Sequence, residues 1–208
     1  MPASKHKPYV IGLTGGIGCG KSEAAAFLKT LGAAHVDADE ISRAVTAPGG
    51  AALDEIRRVF GDGAFREDGA LDRARLGQLV FGNEPARRAL EGIIHPLVQR
   101  EMMNRMDAAA AEGAKVVILD VPLLFETGMD ALCDETWALY VGREMQISRI
   151  VARDGVTREQ AEARIDSMMS TEERNARATY AINTEQPMEK TRQQLTQLYR
   201  QAEKRAES

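Results

Sequence analysis

Residues 12–23, GLTGGIGCGKSE, place Gly15, Gly16 and Gly18 within four positions and follow them with Gly20, Lys21 and Ser22. Core packing has no use for so much bare backbone after the apolar run 9–13, but a bound anion does. Gly15-x-x-x-x-Gly20-Lys21-Ser22 has the spacing of a phosphate-binding loop. Glycines permit positive φ, so successive N–H groups can converge on one anion. A helix opening near Lys21 adds the positive end of its dipole. Lys21 can reach β and γ phosphates as a point charge, and the Ser22 hydroxyl can ligate Mg²⁺. A chance match in a chain of this length is on the order of one in a hundred. The dinucleotide fingerprint G-x-G-x-x-G is met loosely by Gly16 and Gly18 and lacks its last glycine in register.

Four further groups could join phosphate chemistry. Asp37 and Asp39, in VDAD, end an expected second strand, and carboxyl ends of parallel strands are where α/β sheets bind ligands. Either acid could accept a hydroxyl proton or hold metal-bound water, and Asp39 could instead cap the next helix. Asp120 ends the run VVILD and could hold Mg²⁺ through water, or be a solvated strand end. Arg149 and Arg153, four apart on one helical face, could close over phosphates or face solvent. His95, in IIHPLV, reads as a half-buried histidine or a substrate contact. The methionines at 102, 103, 106, 168 and 169 read as core or interface filler.

Elements to position these groups are legible as strands at 9–14, 34–38, 115–121, 136–141 and near 180–182. Helical spacing runs over 22–31, 39–45, 51–60, most of 71–113, 143–178 and onward from 188. Pro96 predicts a kink or boundary. Strands alternating with helices argue an α/β, doubly wound parallel sheet. The helical block between the second and third strands is too long for one crossover and reads as an inserted subdomain.

The chain of 208 residues suits one domain with an insertion. At 44% hydrophobic residues it can build a core, and a net charge of −4 argues against a general nucleic-acid footprint. Cys19 and Cys133 lack metal or disulfide spacing. The N-terminus, MPASKHKP, has no apolar signal region and no run is long enough to span a membrane, so the expected location is the cytoplasm.

Taken together, GLTGGIGCGKS, VDADEISRAV, GALDRARLGQLVF, LEGIIHPLV, LDVPLLFE and QISRIVARDGVTREQAEARI resemble the dephospho-coenzyme A kinase family, in family order over residues 9 to about 165. The resemblance implies transfer of the ATP γ-phosphoryl group, with Mg²⁺, to the ribose 3′-hydroxyl of dephospho-coenzyme A. It implies a P-loop kinase-type five-stranded sheet with a helical substrate subdomain and a helical lid. The corresponding ranges are 8–60, 114–142 and 171–208 for the core, 61–113 for the subdomain and 143–170 for the lid. By motif position Asp39 is the base and Arg43 a substrate contact; His95 is read as a further substrate contact. Gly15, Gly16, Ile17, Gly18, Cys19, Gly20, Lys21, Ser22 and Glu23 bind ATP, and Lys21, Arg149 and Arg153 assist transfer. Ser22 and Asp120 fall to the metal. The partners are small molecules, with neither nucleic acid nor membrane, and the chain is expected as a monomer or small homo-oligomer. Glu23, Met168, Thr179 and Thr184 depart from the family pattern and are expected around the lid and the adenine end. Two other readings are a kinase of another small hydroxyl or nucleotide substrate, and a nucleotide-binding protein that has lost turnover.

Overall fold

Apolar runs ended by glycine or acid become strands, and the amphipathic stretches between them become helices. In the computed structural model, which describes residues 7–207, there are five strands and nine α-helices. They are β1 (Tyr9–Gly15), α1 (Lys21–Thr30), β2 (Ala34–Asp37), α2 (Ala38–Val45), α3 (Leu53–Phe60), α4 (Arg73–Val80), α5 (Glu84–Ala111), β3 (Val116–Asp120), β4 (Glu135–Tyr140), α6 (Arg143–Asp154), α7 (Arg158–Asp166), α8 (Thr171–Arg177), β5 (Tyr180–Asn183) and α9 (Met188–Ala206). The chain divides into two compact units, Asp37–Arg105 and the remainder.

The larger unit is built on the parallel sheet that the alternation predicts, in the order β2-β3-β1-β4-β5. The central strand β1 aligns Leu13 with Asp120 of β3, and Gly15 with Leu139 of β4. β3 is buried along its whole length, as a central parallel strand requires. One face carries Ile11, Leu13, Ile118, Trp137, Leu139 and Ile182, packed on Leu28 of α1 and on Leu195, Leu198 and Tyr199 of α9. Burying each large side chain is worth about 1.5–3 kcal/mol. That fixes β1 and α1, and hence the loop between them. A separate cluster of Ile147, Ile150 and Ala161 joins α6 to α7. Thr157 and Gln160 form a reciprocal capping box at the start of α7.

The smaller unit has its own core, in which Ile56, Phe65, Leu71 and Leu76 are buried. The Arg73 guanidinium donates to the Thr46 hydroxyl at 2.7 Å, tying α4 to the end of α2. The helix α5 runs unbroken through Pro96, where the sequence predicts a kink or boundary. Proline there leaves the carbonyl of Gly92, four residues earlier, without its N–H. Both positions are exposed, so water can take that carbonyl.

Candidate active site

The turn between β1 and α1 lies at the carboxyl edge of the sheet. Gly18 and Gly20 have φ of 78° and 84°, a conformation that favours glycine over any residue with a Cβ. Gly20 is the residue before α1, whose first N–H groups have no partner within the helix. Gly15 and Gly16 are bare for another reason. A Cβ on Gly15 would lie 2.7 Å from the Leu139 carbonyl, and one on Gly16 2.7 Å from Gln146 Nε2. The Cys19 N–H closes the turn on the Gly16 carbonyl at 3.2 Å. The Cys19 thiol points inward, and burial pushes it up, outweighing the nearby Lys21 N–H.

Lys21 opens α1 and forms an ion pair with Asp120, at the end of β3. The second Asp120 oxygen accepts from His35 Nε2 at 3.2 Å. Burial alone would raise the Asp120 carboxyl. The His35 hydrogen bond, with the charge and hydrogen bond of Lys21, outweighs it and holds the group below the usual carboxylate range. Asp120 is therefore a buried, paired anion rather than a solvated strand end. Ser22 and Glu23 are exposed in the first turn of α1.

The helix α6 carries both Arg149 and Arg153, and they take different partners. Arg149 donates to the Gly18 carbonyl at 3.1 Å and the Thr184 carbonyl at 3.3 Å. Arg153 is turned to Asp154, with bonds of 2.7 and 3.0 Å, and does not join the loop. Beside them lies a cleft of about 490 Å³, lined by Gly16, Arg143, Gln146, Met168 and Arg174 among others. Arg174 is 2% exposed and donates to the Met169 carbonyl at 2.8 Å. The expectation that Thr179 sits at the adenine end fails. It precedes β5, at the amino edge of the sheet, and exchanges reciprocal 3.0 Å bonds with Thr136.

In the smaller unit Asp37, not Asp39, caps α2. Its carboxylate accepts from the N–H groups of Asp39 at 2.8 Å and Glu40 at 3.0 Å. Asp39 is exposed, and among the described residues its carboxylate has no hydrogen-bond or ion-pair partner. Arg43, one turn on, is exposed on the same helix. His95 is exposed on α5 rather than half-buried. His35, Gln146 and Arg174 are residues that the sequence alone does not single out. A histidine in a strand that ends in acids is a usable signal for the first; the other two carry none.

No helix of the described residues is long and apolar enough to cross a membrane. A family model described as dephospho-CoA kinase matches residues 9–190. The dephospho-CoA kinase of Symbiobacterium thermophilum is 44% identical over 93% of this chain and 81% of its own. That of Geobacillus kaustophilus is 42% identical over 92% and 95%. The crystal structure of TT1252 from Thermus thermophilus superposes with a TM-score of 0.81 at 32% identity, covering 92% of this chain and 95% of the other. The structure of the Campylobacter jejuni dephospho-CoA kinase shares the fold with a TM-score of 0.63 at 24% identity, over 94% and 98%. Matches of this extent and identity mean that the chain belongs to the dephospho-CoA kinase family.

Proposed function

We propose that Asp39 is the general base of the reaction and that the loop 15–23 holds the ATP. The reaction itself follows from the family: the enzyme phosphorylates dephospho-CoA to CoA. The observation that carries the assignment of the base is the division of labour in VDAD. Asp37 is consumed by the helix cap, which leaves the Asp39 carboxylate, in the first turn of α2, without a partner among the described residues. An unengaged carboxylate can accept the proton of the ribose 3′-hydroxyl as that oxygen attacks the γ-phosphorus. Arg43 and His95 contact the substrate, the helices of 61–113 surround it, and 143–170 form the lid.

On the nucleotide side the loop amides and Lys21 hold the β and γ phosphates. Arg149 offsets charge on the moving phosphoryl group, and Arg153 joins it only by exchanging Asp154 for phosphate. Ser22 offers a hydroxyl oxygen, and Asp120 a carboxylate kept anionic by its partners, which is the hard-oxygen donor set Mg²⁺ takes. A Mg²⁺ ion held by these residues would supply charge neutralisation for the transferring phosphoryl group.

The test is ADP release with ATP and Mg²⁺, comparing dephospho-CoA with a panel of nucleoside monophosphates. Dephospho-CoA alone is expected to drive release; a preferred monophosphate would reassign the substrate. Asp39→Asn should lower kcat by about 10²–10⁴ and leave the ATP dissociation constant unchanged. An undiminished kcat would exclude Asp39 as the base.

A further inference from the structure

Three consecutive carbonyls of the phosphate loop are each held from outside it. Gln146 Nε2 donates to the Ile17 carbonyl at 2.6 Å, Arg149 to that of Gly18 at 3.1 Å, and the Thr184 hydroxyl to that of Cys19 at 2.7 Å. The donors come from α6 and from the residue after β5. Thr184 has a single hydroxyl proton. The Cys19 carbonyl is the nearer acceptor, at 2.7 Å against 3.1 Å for the Tyr140 carbonyl, which holds the Thr184 N–H at 2.8 Å, so the shorter bond goes to Cys19. Gln146 is buried, and its amide fills the space a Cβ on Gly16 would occupy.

A peptide unit whose oxygen is held on one side presents its N–H on the other. We propose that Gln146 and Thr184 are positioning residues that fix the loop in its anion-binding shape before nucleotide arrives, with Arg149 as the middle tie. This rests on the reading of 15–23 as the ATP loop. Gly16 is then glycine because the brace needs its space, and Thr184 is a working departure from the family pattern. A loop ordered in advance surrenders less conformational freedom on binding, so the brace acts on ATP affinity and leaves the second substrate alone.

Thr184→Val and Gln146→Met keep side-chain size and remove the donor. Each should raise both the dissociation constant of ATP, measured by calorimetry, and KM for ATP about five-fold, and the double variant about thirty-fold. KM for dephospho-CoA and kcat should stay within about two-fold, and Thr184→Ser should restore the wild-type constant. Hydrogen exchange of the loop amides, measured without nucleotide, should quicken in Thr184→Val. Unchanged ATP binding and exchange in the double variant would overturn the proposal, as would equal losses for both substrates or a Thr184→Ser that fails to rescue. Failure of the wild type to turn over dephospho-CoA would instead strike the functional reading, and calorimetry would still decide the brace.

Discussion

Glu23 is the loop residue that phosphate chemistry least requires. It is exposed in the first turn of α1, where an acid suits the helix dipole, and among the described residues its carboxylate has no partner. It also borders a small cleft with Phe27, Arg149, Thr184 and Met188. A carboxylate there suits the helix dipole and, if 15–23 is the ATP loop as proposed, opposes the triphosphate. At a surface, such a charge contributes on the order of 0.3–1 kcal/mol at low ionic strength. Glu23→Thr should therefore tighten ATP about two- to five-fold at low salt, and the gain should fade as screening shortens the range of the charge. The measurement is KM for ATP against ionic strength. Equal values for variant and wild type at low salt would show that the Glu23 charge does not reach the phosphates.

Among the elements, β1 shows what could be read in advance and what could not. Its apolar run and following glycines announce a buried strand and a glycine turn into a helix, because residue type and short spacing carry both. The bounds of α1, α2, β3 and β5 differ from the expected ones by a residue or two. Facts made by distant residues were not legible. Asp120 was visible as a strand-end acid, but its partners Lys21 and His35 lie 99 and 85 positions away. That Asp37 rather than Asp39 caps α2 turns on one step of helix phase. Thr179 was misplaced because a residue number does not say which edge of a sheet it meets.

Cys133 is a further contact of this kind. A Cβ on Gly12 of β1 would stand 2.7 Å from its sulfur, so the thiol packs against bare strand backbone. Burial, then Asp130 and Asp134, push this thiol from near 9 up to about 12. The sign follows directly. Between pH 9 and about 12 the unfolded chain gives up the proton while the folded chain keeps it, so stability falls as pH rises. Urea unfolding of wild type and Cys133→Ala across that range should show the wild type losing its advantage. An offset that does not change with pH would mean the thiol ionises alike in both states.

At the scale of the larger unit, the sheet separates the candidate site from anchorage. The carboxyl edge carries the loop, Asp120 and the approach of α6. The amino edge carries Glu135, a buried acid that opens β4. Glu135 accepts from Trp137 Nε1 at 2.9 Å and from the Tyr9 hydroxyl at 3.1 Å, and pairs with Arg205 near the end of α9. Arg205 also reaches the Tyr180 hydroxyl at 3.2 Å. One ion pair thus gathers β1, β4, β5 and the last helix, which closes the unit after the chain's excursion through 37–105. Removing one partner of a fully buried pair costs about 3–5 kcal/mol, because the other charge is left stranded. The Arg205 side chain is 42% exposed, so water can reach the pair, and roughly 1–3 kcal/mol is the expected cost of Arg205→Met. That is a fall of roughly 3–9 °C in Tm for a chain of this size. Adding Glu135→Gln should recover part of it, since the amide removes the stranded charge while its carbonyl still accepts from Trp137. Both KM values should be untouched at temperatures where the variant is folded, because this edge lies at the opposite end of the strands from the loop. A rise in KM for ATP without loss of Tm would mean that α9 acts on the nucleotide loop rather than on the fold.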